Sequence, residues 1–138
     1  MKLALQNYIL IALTAALLTG CSQQPAEQSV VVTAANETAA MARLRAIAAA
    51  EAQYQVQAIG EYGTLDQLIQ KRYVNDPASG KLTGYRFEVQ VRAGGFQATA
   101  VPEKFGVTGK RSFYLDETNV LHGADKKGAP ATAADPEV

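Results

Sequence analysis

Residues 36–59, NETAAMARLRAIAAAEAQYQVQAI, decide the fold because they predict one long amphipathic helix. Asn36 is a favourable N-cap, Glu37 places a negative charge in the first turn, and Gly60 suits the position after the last turn. At about 100° per residue, one side of this helix collects the apolar residues Met41, Leu44, Ile47, Ala48, Tyr54, Ala58 and Ile59. The other side and its margins carry Arg43, Arg45, Gln53 and Gln57. We therefore expect the apolar side to lie on a hydrophobic core.

A short second helix is predicted after Gly60. Thr64 and Gln67 have the spacing of a capping box, and Leu65 and Leu68 supply an apolar side. The turn formers of residues 75–80, NDPASG, then end the helical half of the chain.

Beyond this turn the hydrophobic period changes from 3.6 to 2, which predicts strands. The predicted strands are residues 85–91, 96–101, 111–115 and 120–122. The turn at residues 93–95 joins the first two, and Pro102 ends the second. Helices followed by an antiparallel meander make an α+β fold. One sheet face must pack on the long helix, because four short strands alone would leave Tyr85 and Phe87 in water.

At the N-terminal end of the chain, residues 1–20 are predicted to be a signal peptide. Lys2 is their only charged residue, and the apolar run from Tyr8 to Leu18 is 11 residues long. A helix of that length reaches about 16 Å, which is too short for a hydrocarbon core of about 30 Å. The pattern is typical of a cleaved secretory signal.

The end of this segment, Leu18-Thr19-Gly20-Cys21, resembles the lipobox of bacterial lipoproteins. The resemblance implies cleavage between Gly20 and Cys21, an S-diacylglyceryl group on the Cys21 thiol and an acyl chain, such as palmitate, on its amine. The alternative is an ordinary signal peptide followed by an incidental cysteine. Cys21 is the only cysteine, so no disulfide can form within the chain.

Two segments are predicted to lack regular structure. Residues 21–35 are expected to be a flexible tether, since they hold Pro25 and the β-branched run Val30-Val31-Val32; the valines could instead form an edge strand or touch the domain. A tether of about 14 residues reaches about 45–50 Å when extended. Residues 124–138 are rich in Ala, Pro, Gly and charge, and are expected to be a loose tail.

The domain between these segments, residues 36–123, resembles the globular region of type IV pilin-like proteins and pseudopilins. The resemblance rests on four stretches in this order: residues 44–54, 62–65, 83–87 and 109–118. It implies a long helix whose C-terminal half packs on an antiparallel sheet. Pilins place an apolar segment of about twenty residues after their processing site, with a glutamate at its fifth position. Here Gly20 is followed by Cys21 and a polar segment, so we do not expect this chain to polymerise as a pilin.

The composition argues against nucleic acid as a partner. The chain has 13 Lys and Arg and 13 Asp and Glu; removal of Lys2 with residues 1–20 leaves 12 and 13, a net charge of −1. No basic surface is therefore expected. The 118 residues that remain suffice for one domain.

Few residues suggest chemistry. Glu51 lies on the apolar side of the helix. It is either a buried acid or base with a raised pKa, or a carboxylate that lies at the edge of the apolar side or accepts hydrogen bonds from loop amides. His122 is the only histidine, which argues against a metal site and against histidine-dependent catalysis. Residues 106–110, GVTGK, lack the spacing of a phosphate-binding loop. Finally, Tyr85, Phe87 and Tyr114 are either a ligand platform or part of the core.

These observations favour a lipid-anchored, non-enzymatic envelope protein with a pilin-like interaction domain, associated with secretion or pilus-type machinery. No cofactor or metal is expected, and the partners are the membrane and an unidentified envelope protein. The alternative is a small ligand-binding lipoprotein that uses the sheet face. An enzyme acting through Glu51 ranks third. The resemblance to bacterial lipoproteins implies that Ser22, rather than an aspartate, after the cysteine directs the protein to the outer membrane of a cell with two membranes.

Overall fold

The computed structural model describes residues 25–76 and 84–138, with side chains from Ser29 onward. Its elements are α1 (Pro25–Gln57), α2 (Leu65–Gln70), β1 (Tyr85–Arg92), β2 (Gly95–Pro102), β3 (Ser112–Asp116) and β4 (Leu121–Ala124). One long helix and a four-stranded antiparallel sheet confirm the predicted α+β class. The predicted turn at residues 75–80 lies mostly outside the described residues.

Helix α1 is longer than predicted, since it begins at Pro25 rather than after Asn36. The predicted tether is therefore wrong over residues 25–35, and Val30-Val31-Val32 is helical rather than an edge strand. Proline is favourable in the first turn, where its missing N–H costs nothing. Each valine lowers helix propensity only by tenths of a kcal/mol. Because the core already holds the rest of the helix, extending it toward Pro25 needs no new nucleation.

One side of α1 packs on the sheet. Ala40, Leu44, Ile47 and Ala50 are buried in one core with Ala98 and Ala100 of β2 and Phe113 and Leu115 of β3. Leu68 of α2 and Leu121 of β4 complete this core. Met41, Ala48 and Tyr54 pack at its margin, as the sequence predicts. Ile59 is exposed, contrary to the prediction, because the helix has already ended at Gln57.

The second helix confirms its predicted cap. The Thr64 hydroxyl accepts from the Gln67 amide, and the Gln67 side chain accepts from the Thr64 amide in return. This short helix places Leu68 over the end of the core that lies beside the C-terminal half of α1.

The sheet is a simple meander with the order β1-β2-β3-β4. Arg92 pairs with Gly95 across a two-residue turn in which Gly94 has a φ of +74°. Gln97 then pairs with Asp116, and Tyr114 pairs with His122. This register turns Phe113 and Leu115 toward α1 and Ser112, Tyr114 and Asp116 to the other face.

Residues 125–138 return along the free edge of β4 and pair with it, so the predicted loose tail is wrong there. The Val138 amide donates to the Leu121 carbonyl over 3.0 Å, and the Gly123 amide donates to the Pro136 carbonyl over 2.9 Å. The Asp135 carboxylate binds Lys126 Nζ and the Thr132 amide. A composition rich in Ala and Pro conceals this order, which comes from backbone groups at the β4 edge that need partners.

A matched pair of alanines tests the packing of the C-terminal segment. Ala131 is 2% exposed and Ala133 is exposed, so a glutamate has room only at residue 133. We expect Ala131→Glu to lower the free energy of unfolding by about 1–3 kcal/mol, because a charge cannot stay buried without a partner. Ala133→Glu should change it by less than about 0.5 kcal/mol. Urea unfolding measures both, and equal effects would mean that the segment does not pack as described.

Candidate interaction site

The predicted lipidation site lies outside the described residues, as do Gly20 and the rest of the signal peptide. Within the described part of the chain, no helix has the length and apolar character needed to cross a bilayer. The position of Cys21 in the sequence still matters for the site, because α1 begins only four positions later, at Pro25.

Glu37 fixes the loop after β2 to the helix. Its Oε1 accepts from the Lys110 and Arg111 amides over 3.0 and 3.2 Å, and its Oε2 accepts from Arg111 Nε over 2.8 Å. Burial opposes ionisation of this carboxyl, but the Lys110 amide and the Arg111 guanidinium outweigh it and hold the pKa of Glu37 below its ordinary value. The helix and the loop are therefore joined by a charged contact whose carboxylate is nearly buried and whose guanidinium is partly exposed.

The loop held in this way contains the GVTGK stretch. Asn36 Nδ2 donates to the Thr108 carbonyl over 2.9 Å, and the Thr108 hydroxyl accepts from the Lys104 amide. Glu37 already occupies the Lys110 and Arg111 amides. The loop therefore binds its own helix through Asn36 and Glu37.

The core-facing side of α1 continues past the sheet toward Pro25. Residues seven apart share a helix face, so Val30 and Glu37 lie on the same side as Leu44. Thr33, between them, donates its hydroxyl hydrogen bond to the Ser29 carbonyl over 2.8 Å and also lies 3.3 Å from the Val107 carbonyl. Between this part of the helix and the loop is an open cavity of about 320 Å³, lined by Ser29, Val30, Thr33, Ala34, Glu37, Gly106 and Lys110.

The two chain segments that form this cavity, the first turns of α1 and the loop after β2, expose large apolar side chains. Val30, Val31 and Val32 are 66%, 68% and 53% exposed, and Val107 is 63% exposed. Phe105, two residues before Val107, is 42% exposed. We call the surface formed by Val30, Thr33, Phe105, Val107 and Lys110 the helix–loop surface. Exposed apolar clusters of this kind mark contact sites for proteins or membranes.

Glu51 lies at the opposite end of the helix's packed region, and it is a loop anchor. Its side chain is fully buried, and Oε2 accepts from the Gly63 amide over 2.9 Å. Among the described residues, Oε1 has no hydrogen-bond partner. Burial raises the pKa of Glu51, and the Gly63 amide offsets only part of this effect. The interpretation of Glu51 as an acceptor for loop amides is therefore the one that the geometry supports.

The remaining sequence candidates are structural. His122 Nδ1 lies 2.7 Å from the Asp135 carbonyl and helps to hold the C-terminal segment. Tyr85 is buried in the helix-side core, with Phe87 packed at its margin. Tyr114 lies on the opposite face, where its hydroxyl donates to Asp116 Oδ2 over 2.9 Å. The three aromatic residues are thus divided between the two faces and do not form one platform.

A second groove lies where α1 passes the β3–β4 turn. It holds about 360 Å³ and is lined by Arg45, Ala48, Ala49, Ala52, Gln55, Tyr62, Phe96, Asp116, Glu117 and Asn119. Its acids are already engaged: Thr118 and Tyr114 bind Asp116, and Arg92 binds Glu117 over 2.9 Å. In the part of the chain that the structure describes, no three His, Cys, Asp or Glu side chains are placed to hold a metal ion.

Sequence reasoning missed the helix–loop surface. Glu37 was interpreted only as a first-turn charge, because nothing local indicates a partner 73 residues away. The valines were assigned to a tether. The available signal was the placement of Phe105 and Val107, two apolar residues in a loop flanked by Lys104 and Lys110.

No protein-family model, curated protein or solved structure matches this chain.

Glu51 makes stability depend on pH. Since its pKa is raised in the folded protein, the folded state binds the proton more tightly than the unfolded state does. The contribution of Glu51 to stability is therefore greatest below the ordinary value of 4.5 and is lost as the pH rises through the raised pKa. We expect the free energy of unfolding of Glu51→Gln not to show this decrease with rising pH. The variant should be at least as stable as the wild type at neutral pH. Urea unfolding across the pH range measures it, with exposed Glu61→Gln as the control; a parallel fall in Glu51→Gln would contradict the assignment.

The contribution of Glu37 to stability changes with pH in the opposite direction to that of Glu51. Because its pKa is lowered in the folded protein, its contribution is present above the ordinary value of 4.5 and is lost as the pH falls. We expect Glu37→Gln to cost about 1–2 kcal/mol at neutral pH, through its charged hydrogen bonds. The difference from the wild type should shrink in acid. Exposed Glu103→Gln is the control in the same urea series, and a constant difference at all pH values would rule out the charged contact.

Proposed function

We propose that this protein is a lipid-anchored, non-enzymatic protein of the cell envelope whose α+β domain is a pilin-like interaction module. One observation carries the proposal: α1 begins four positions after Cys21 and runs without interruption into the hydrophobic core. A lipid on Cys21 would thus be connected directly to the element on which the domain is built.

The chemistry of the anchor supports this arrangement. One acyl chain binds a membrane only marginally, whereas two or three chains, at about 0.8 kcal/mol per buried methylene, hold it stably. The segment between Cys21 and Pro25 extends at most about 14 Å. The domain would therefore remain close to the bilayer instead of standing about 45–50 Å away on a flexible tether.

The layout of the domain supports the pilin-like comparison. The C-terminal part of α1 packs on an antiparallel sheet, while its N-terminal valines lie beyond the sheet and are exposed. The sequence before α1 departs from the pilin pattern, with Cys21 after Gly20 and no apolar segment of twenty residues. We therefore propose a pilin-like domain that attaches to envelope machinery, such as a secretion or pilus-type assembly, and does not form the filament.

A small-ligand lipoprotein is the second candidate. The structure supports a ligand site on the sheet less than the sequence does. The C-terminal segment covers part of the face away from α1, and the core fills the face toward α1. The groove beside Arg45 and Asn119 is where we would place such a ligand, since the aromatic rings of Tyr62 and Phe96 lie 5.4 Å apart at its wall.

Replacement of the cysteine tests the anchor. We expect Cys21→Ser to abolish palmitate labelling and to release the protein from membranes, because the thiol is the site of diacylglyceryl transfer. Labelling and membrane fractionation in intact cells measure both. Ser22→Ala is the matched control and should keep its lipid. Membrane retention of Cys21→Ser equal to the wild type would overturn the anchor.

Photo-crosslinking tests the interaction function. A crosslinking residue at exposed Asn119 samples the groove, and one at exposed Glu88 samples the outer side of β1. We expect at least one position in the lipidated protein to capture an envelope protein, and Cys21→Ser to capture less of it. If neither position captures an envelope protein, the interaction function is wrong even where the anchor is right.

A further inference from the structure

We propose that the helix–loop surface contacts the bilayer that holds the protein, with the anionic headgroups of phospholipids beside Lys104 and Lys110. This inference rests on the proposed lipid anchor and adds an orientation to it. It concerns the end of the domain at which α1 begins.

Cys21 lies a short distance along the chain from the helix–loop surface. From Cys21, the segment to Pro25 reaches at most about 14 Å. Val30 lies about 8 Å further along the helix axis, and Thr33 about 12 Å from the start of the helix. A lipid on Cys21 would therefore bring this end of the domain close to the headgroups, and no longer linker separates the two.

Two separate chain segments expose apolar side chains at the helix–loop surface. Val30 of α1 lines the cavity, and Val107 follows the lining residue Gly106 in the loop after β2. The Val107 carbonyl lies 3.3 Å from the hydroxyl of Thr33, which also lines the cavity. Both valines are more than half exposed. Glu37, through Lys110 and Arg111, holds the loop against the helix, so the two segments form one fixed surface.

Positive charge lies beside these apolar side chains. Lys104 and Lys110 flank Phe105 and Val107, and both are exposed. Among the residues that the structure describes, neither lysine forms an ion pair, whereas Arg111 is paired with Glu37. Cations beside exposed apolar side chains complement an anionic membrane surface, in which the apolar groups enter the interface and the ammonium groups remain with the phosphates.

The lipidated full-length protein in phospholipid vesicles tests the orientation. With Cys21 occupied by lipid, Val107→Cys supplies one thiol for an environment-sensitive fluorophore. Val56→Cys is the matched control, since Val56 is 83% exposed and lies about 46 Å along α1 from its start. We expect the label at residue 107 to shift to the blue and to lose emission to a quencher carried on the phospholipid, and the label at residue 56 to do neither.

Anionic and neutral vesicles separate the role of the lysines. We expect stronger quenching at residue 107 on anionic vesicles, and Lys104→Gln and Lys110→Gln should each weaken this docking about fivefold. On neutral vesicles the two lysine variants should behave like the parent protein. Thermal unfolding of each labelled variant checks that the fold is retained.

The outcomes distinguish the two proposals. Mass spectrometry that finds Cys21 without lipid overturns the anchor and this orientation with it. Lipidated protein whose label at residue 107 is unquenched overturns the orientation alone. A blue shift that occurs without vesicles and grows with protein concentration means that a second copy of the chain covers the surface, which also overturns the membrane contact.

Discussion

The packing of one helix face on one sheet face is the constraint on which the structure depends. Ala40, Leu44, Ile47 and Ala50 repeat at intervals of three and four, and they lie against the small residues Ala98 and Ala100 of β2. Those alanines allow the helix backbone to approach the sheet, while their cross-strand partners on β3, Leu115 and Phe113, supply large buried side chains beside them. With no disulfide available, this apolar contact is the main source of stability for a domain of this size.

The same helix face carries a carboxylate at each end of the apolar contact. Glu37 and Glu51 are fourteen residues apart, which places them on one line with Leu44. Each binds backbone amides of a loop, Glu37 those of Lys110 and Arg111 and Glu51 that of Gly63. Both anchors are carboxylates that accept from backbone amides, but their protonation is favoured differently. Arg111 pairs with Glu37, whereas no cation among the described residues pairs with Glu51. One anchor is favoured by ionisation and the other by protonation.

Local pattern predicted the parts of the fold that local interactions specify. The helix face around Leu44, the capping box at Thr64 and the alternation of β1 each depend on neighbours within a few residues, and all three are confirmed. The start of α1 was misplaced because the β-branched valines were weighed by propensity alone, although the packed half of the helix determines whether the first turns form. Asp135 was missed for a similar reason, since its partners and the β4 edge become visible only after the sheet exists.

The candidate site was predictable only in its individual residues. Val30 and Val107 are each unremarkable apolar residues in the sequence, and their relation comes from Glu37, which joins segments 73 residues apart. That contact also bears on how freely the domain can reorient relative to Cys21. A flexible tether would let the domain take any orientation, but a helix that is continuous with the core and fixed to a loop transmits the position of its first turn to the whole domain. If a lipid holds Cys21, the angle of α1 to the bilayer determines which face of the sheet a partner meets.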